Sequence, residues 1–118
     1  MTAVITPPIR LSVVIFPHEE MYTALCLETS MISVGKSTPG EAAAGITRLI
    51  DGLFSYEVRN KLPIEGGLHP SSPEDFIRYN RGVPFQFTPS LSPEVQAVIS
   101  GIQYRLSPYP IYTKSSED

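Results

Sequence analysis

The run Thr38-Pro39-Gly40-Glu41, followed by an apolar residue every three or four positions, dictates where a long helix must begin. A threonine hydroxyl there can accept a backbone N–H of the first turn. Proline suits the first helical position because its missing N–H has no partner there, and a glutamate three places after the threonine completes a capping box. At about 100° per residue, Ala42, Ala43, Ile46, Leu49, Ile50, Leu53 and Phe54 gather on one side, with Thr47, Arg48, Asp51, Ser55 and Arg59 opposite. Each large apolar side chain in that stripe contributes about 1.5–3 kcal/mol when fully buried, before conformational entropy is set against it. The helix must therefore lie across a sheet. Gly45 and Gly52, two turns apart on one flank, each cost up to about 1 kcal/mol relative to alanine. Close approach of another backbone and simple tolerance both account for them.

The residues ahead of the helix supply that sheet. Ile9, Leu11, Val13 and Ile15 alternate with Arg10, Ser12, Val14 and Phe16, a β-branched pattern that predicts a half-buried strand. Pro17-His18-Glu19-Glu20 breaks the run, and Tyr22 to Glu28 resumes it as the second arm of a hairpin. Met31 to Gly35 forms a third short strand, ending on a glycine that tolerates a turn. The expected core is an antiparallel three-stranded meander packed by one amphipathic helix, an α+β arrangement within a single domain spanning residues 1–118.

Prolines crowd the second half and shorten the elements they touch. Leu62 to Ser72, with its Gly66-Gly67 pair, reads as a surface connection. Ser72-Pro73-Glu74-Asp75 opens a short helix over about residues 73–81 that Gly82 terminates. Val83 to Thr88 alternates around Phe85 and Phe87 as a fourth strand, confined by Pro84 to an edge or a strand start. Val95, Val98, Ile99, Ile102 and Leu106 recur at helical spacing and predict a last helix over about 93–106, stopped by Pro108 and weakened by Gly101. The tail from Tyr109 to Asp118 is expected to fray, or to dock through Tyr109, Ile111 and Tyr112 alone.

The side-chain inventory excludes several chemistries. One cysteine and two histidines fall short of the four ligands of a closed zinc site, and neither His18 nor His69 sits in a catalytic motif. Cys26 lies in an apolar run and reads as a small buried hydrophobe, in keeping with a reducing, cytoplasmic setting. The carboxylates Glu28, Glu41 and Asp51 show no pattern that converges on a metal. Gly35-Lys36-Ser37 lacks the preceding glycine of a phosphate-binding loop. No catalytic residue, cofactor site or metal site is therefore expected. A formal charge of −3 supplies no broad phosphate-attracting field, so direct nucleic-acid binding is disfavoured. Neither a membrane-length apolar run nor a secretory leader is expected.

One stretch has the composition of a binding surface. Between Phe76 and Phe87, Arg78 and Arg81 interleave with Phe76, Tyr79, Phe85 and Phe87, and arginine with aromatics dominates interface hot spots. Phe76, Arg78, Tyr79 and Arg81 form the candidate contact set. Satellite core for the aromatics and solvation for the arginines is the simpler structural account of the same residues.

The succession Tyr22-Thr23-Ala24-Leu25-Cys26-Leu27-Glu28, then Gly35, then Thr38-Pro39-Gly40-Glu41-Ala42 resembles the HicB-like antitoxin domain, over Ile9 to Leu62. The resemblance implies a partly reduced ribonuclease-H-like fold without catalytic function, which neutralises a small RNA-cleaving toxin by covering it. Many members of that family append a DNA-binding module, for which the chain after Gln86 has no room. The expected role is that of a non-catalytic protein-binding domain, an antitoxin or a stand-alone relative, which self-associates through a sheet edge or the small-residue flank of the helix. The alternatives are a nucleic-acid-binding protein or weak metal-dependent nuclease using residues 76–87, and a small-molecule pocket under the proline-rich half.

Overall fold

A computed structural model describes residues 9–63 and 68–108. Three strands, β1 (Ile9–His18), β2 (Met21–Cys26) and β3 (Ile32–Lys36), form the expected antiparallel meander, and α1 (Pro39–Arg59) crosses it. There follow α2 (Pro73–Arg81), a two-residue β4 (Val83–Pro84), a single helical turn α3 (Pro93–Gln96) and β5 (Ile99–Leu106). The sheet order is β3-β2-β1-β5-β4, with β5 parallel to β1 and every other pair antiparallel. The fold is thus α+β with a helix-packed meander and short later helices, and its sheet is five-stranded and mixed. None of the helices among the described residues is long and apolar enough to cross a membrane.

The start of α1 follows from its first residues. Thr38 Oγ1 accepts the Glu41 N–H at 3.1 Å, and the Glu41 carboxylate reaches back to the Ser37 N–H at 3.1 Å. Two donors that the helix cannot satisfy internally are therefore capped. The predicted stripe is rotated from its expected position, because Thr47 and Ser55 are buried while Leu49 is exposed. Thr47 lies beneath Tyr104 of β5, and Ser55 and Asp51 are covered by residues 91–98. An element that sequence reading had placed elsewhere closes over the side taken as solvent-facing. Gly45 is where helix and sheet approach closely: a Cβ there would stand 2.5 Å from Ser33 Oγ. Gly52 has open space instead.

β1 is buried on both faces and not half-buried as expected. Leu11, Val13 and Ile15 face α1 together with Ala24 and Cys26, whereas Val14 and Phe16 join Leu25, Leu27 and Tyr79 on the other side, with Phe76 packed against them. α2 makes the difference by covering that second face, and a strand flanked by neighbours on both edges and covered on both faces has no polar side. Two further devices hold its start. Ser12 N–H donates to Glu28 Oε1 at 2.7 Å, and Leu27 N–H donates to Ser12 O at 2.8 Å, extending the hairpin past Cys26.

The predicted helix over 93–106 is corrected: only Pro93–Gln96 is helical, and Ile99–Leu106 is strand β5. The window satisfies two periods at once, since Val95, Val98, Ile99, Ile102 and Leu106 suit a helix while Ile102, Tyr104 and Leu106 alternate as in a strand. The open edge of β1 decides between them, because its backbone groups need partners. Ile9 to Ile15 take them from Ile99 to Leu106. The expected fourth strand over 83–88 shrinks to Val83–Pro84 at the sheet edge, where a proline without an N–H can sit. Of the expected surface connection 62–72, residues 62, 63 and 68–72 are irregular as read, and 64–67 lie outside the described residues, as does the tail from Tyr109.

Candidate functional site

α2 carries the candidate contact set, and its local grammar is simple. Pro73 occupies the first turn beside Glu74 and Asp75, Arg78 and Arg81 fall in the last turn, and Gly82 ends the helix. A Cβ on Gly82 would lie 3.0 Å from the Leu106 carbonyl oxygen, so glycine there lets α2 end against β5.

The four candidate residues divide between the two sides of α2. Tyr79 is buried and Phe76 half-buried on the second face of the sheet. The Arg78 side chain is 15% exposed; its guanidinium lies 5.6 Å from the Phe16 ring centre, and Nη1 donates to Asp75 Oδ1 at 3.0 Å. Arg81 is exposed, one turn beyond exposed Ile77, and exposed Val83 follows two places on. Arg105 approaches from β5, stacking 5.0 Å from the Tyr79 ring centre and donating to the carbonyls of Asn80 and Gly82 at the end of α2. Sequence reading missed Arg105 because it had placed that residue on a helix. Phe76, Arg78 and Tyr79 therefore seat α2 on the sheet, and Ile77 and Arg81 are what it presents outward.

Carboxylates elsewhere hold the fold in place. Asp51 accepts the N–H and hydroxyl of Ser92 at 2.7 and 2.8 Å, which anchors the start of α3 to α1, although the sequence had placed it facing solvent. Glu94 accepts from Ser55 Oγ and Arg59 Nε, each at 2.8 Å; the Ser55 hydroxyl above all holds its carboxyl below the ordinary range. Glu28 and Glu41 serve backbone N–H groups as described above. Among the described residues no three of His, Cys, Asp and Glu stand close enough to share a metal ion. His69 donates its backbone N–H to Glu28 O, and His18 lies 3.8 Å from Glu19 at the exposed hairpin tip. Cys26 is fully buried, and burial pushes its thiol pKa up, away from the reactive thiolate.

Glu57 is the exception among the acids. It is 5% exposed, its Oε1 has no hydrogen-bond partner among the described residues, and burial raises its pKa above the ordinary 4.5. A raised carboxyl favours the protonated folded state. Its penalty is therefore absent below the unfolded value and grows as pH climbs through the folded one. Glu57→Gln is expected to raise the melting temperature at pH 7–8 and to match the parent near pH 4. Parallel melting curves across that range test this, and an unchanged or lower value at pH 7 would count against it.

An open hollow of about 350 Å³ lies at the hairpin end of the sheet, lined by His18, Glu19, Met21, Thr23, Val34 and Gly35. It is not under the proline-rich half, where the sequence had allowed for a small-molecule pocket. Comparison with protein families, curated proteins and solved structures finds no match to this chain.

Proposed function

We propose that this chain is a non-catalytic, HicB-like protein-binding domain that engages a small partner protein in the manner of an antitoxin. The supporting observation is the placement of its polar groups: Glu28, Glu41, Asp51, Asp75 and Glu94 each hold a backbone or side-chain partner within the fold. On the outward side of α2 and just beyond it, Ile77 and Val83 stand exposed beside Arg81. The β-β-β-α order with its capped helix agrees with what the HicB resemblance implies. In this reading Phe76, Arg78 and Tyr79 position α2, and Ile77, Arg81 and Val83 make the contact, in a reducing cytoplasm where Cys26 stays free.

Affinity capture of the tagged protein from its native cells, with mass spectrometry of the eluate, tests the reading. A single small protein is expected, and a variant carrying Ile77→Asp and Arg81→Glu is expected to lose it. Background proteins alone, or equal capture by the variant, would overturn the assignment. Salt-sensitive binding of RNA by the purified protein would move the function to nucleic acid.

A further inference from the structure

Five of the eight large apolar side chains exposed among the described residues border the β3 side of the molecule, divided between its two faces: Met21, Ile32 and Val34 on the second face of the sheet, Leu49 and Tyr56 on α1, which covers the first. Gly45 touches Ser33 and Lys36 of β3, and Leu49 and Tyr56 follow it at helical spacing, so they continue the flank of α1 that faces the β3 edge. Val34 and Tyr56 are each 60% exposed. A partner seated along the β3 edge meets both groups at once, Ile32 and Val34 on the second face and Leu49 on the first.

Among the described residues β3 has β2 as its only strand neighbour. The Cys26 N–H donates to Met31 O at 2.9 Å, and antiparallel ladders alternate, so residues 31 and 33 turn their peptide groups toward β2. Ile32 and Val34 turn theirs outward to the open edge. The opposite edge is blunted, because β4 is two residues long and contains Pro84.

We propose that this edge joins a second copy of the chain, β3 pairing antiparallel with β3 about a twofold axis at Val34 to make one continuous sheet. The position of α1 favours a second copy over a foreign strand. α1 lies chiefly over β2 and β3, on the side of the sheet that ends in the open edge. A twofold axis just outside β3 then brings the α1 helices of the two copies side by side on the same face, where helices pack. A lone foreign strand would satisfy the edge and leave the flank of α1 bare. Lys36 is the only charged residue of β3; past the irregularity in the β2–β3 register its side chain lies against Gly45 of α1, away from the Val34 axis.

Sedimentation equilibrium of the full chain is expected to give twice 13.0 kDa. Val34→Lys and Leu49→Lys, both at exposed positions, are expected to keep the far-ultraviolet circular dichroism of the parent and to raise the dimer dissociation constant at least about 100-fold. Val34→Cys is expected to give a disulfide-linked dimer on mild oxidation, because paired Cα atoms about 5.5 Å apart lie within disulfide range while buried Cys26 stays out of reach. A monomer at all concentrations, or a dimer that tolerates Val34→Lys and fails to cross-link through Val34→Cys, would overturn the proposal. The inference is independent of the partner reading, since the Val34 variants leave Ile77 and Arg81 intact.

Discussion

Replacing Tyr104 by alanine is expected to lower the free energy of unfolding by about 3–5 kcal/mol, the range for removing a buried aromatic side chain. Tyr104 is 3% exposed and packs edge-on against Phe87, with ring centres 5.1 Å apart. Its hydroxyl lies 2.6 Å from Thr47 Oγ1. The single Thr47 hydroxyl proton goes to Ala43 O at 2.7 Å, so Tyr104 is the donor in that pair. Tyr104→Phe therefore removes one hydrogen bond without stranding a donor, and the expected cost is about 1 kcal/mol. Urea unfolding of the two variants measures both. An alanine variant within about 1 kcal/mol of the parent would show that β5 does not bind α1 to β1 as described.

The hairpin tip should respond in the other direction. Glu19 and Glu20 have φ of 52° and 66°, the left-handed values a two-residue turn imposes at both central positions. An L-residue with a Cβ incurs about 1–2 kcal/mol in that region, and asparagine and glycine are the residues that tolerate it. Glu19→Asn combined with Glu20→Gly is expected to stabilise the protein by about 2 kcal/mol after the added chain entropy of glycine is subtracted. For a chain of this size that is a rise in melting temperature of roughly 8 °C. The exposed His18–Glu19 pair lost in the exchange is worth little. A calorimetric melt shows the shift directly, and a variant no more stable than the parent would rule out the described turn.

Legibility in the sequence followed the range of the forces involved. The Thr38 to Glu41 cap, the meander and the opening of α2 at Pro73 rest on contacts within a turn or a hairpin, and each is where the residues place it. Composition alone singled out the stretch around α2 as a candidate surface. Composition could not tell which side of the helix faced inward, so Phe76 and Tyr79 read as contacts although they pack on the sheet. Asp51 and Ser55 looked solvent-facing for the same reason: their partners Ser92 and Glu94 arrive from some forty positions further along the chain.

The amino-acid sequence by itself determined the capped helix and the three strands before it, because caps and periodicity are local properties. Only the tertiary structure decided that residues 99–106 are a strand and that β1 is covered on both faces. Parallel pairing is made through backbone N–H and C=O groups that every residue shares, so its register leaves no mark in the side chains nearby. It emerges when the open edge of β1 meets a segment that satisfies two periods equally well.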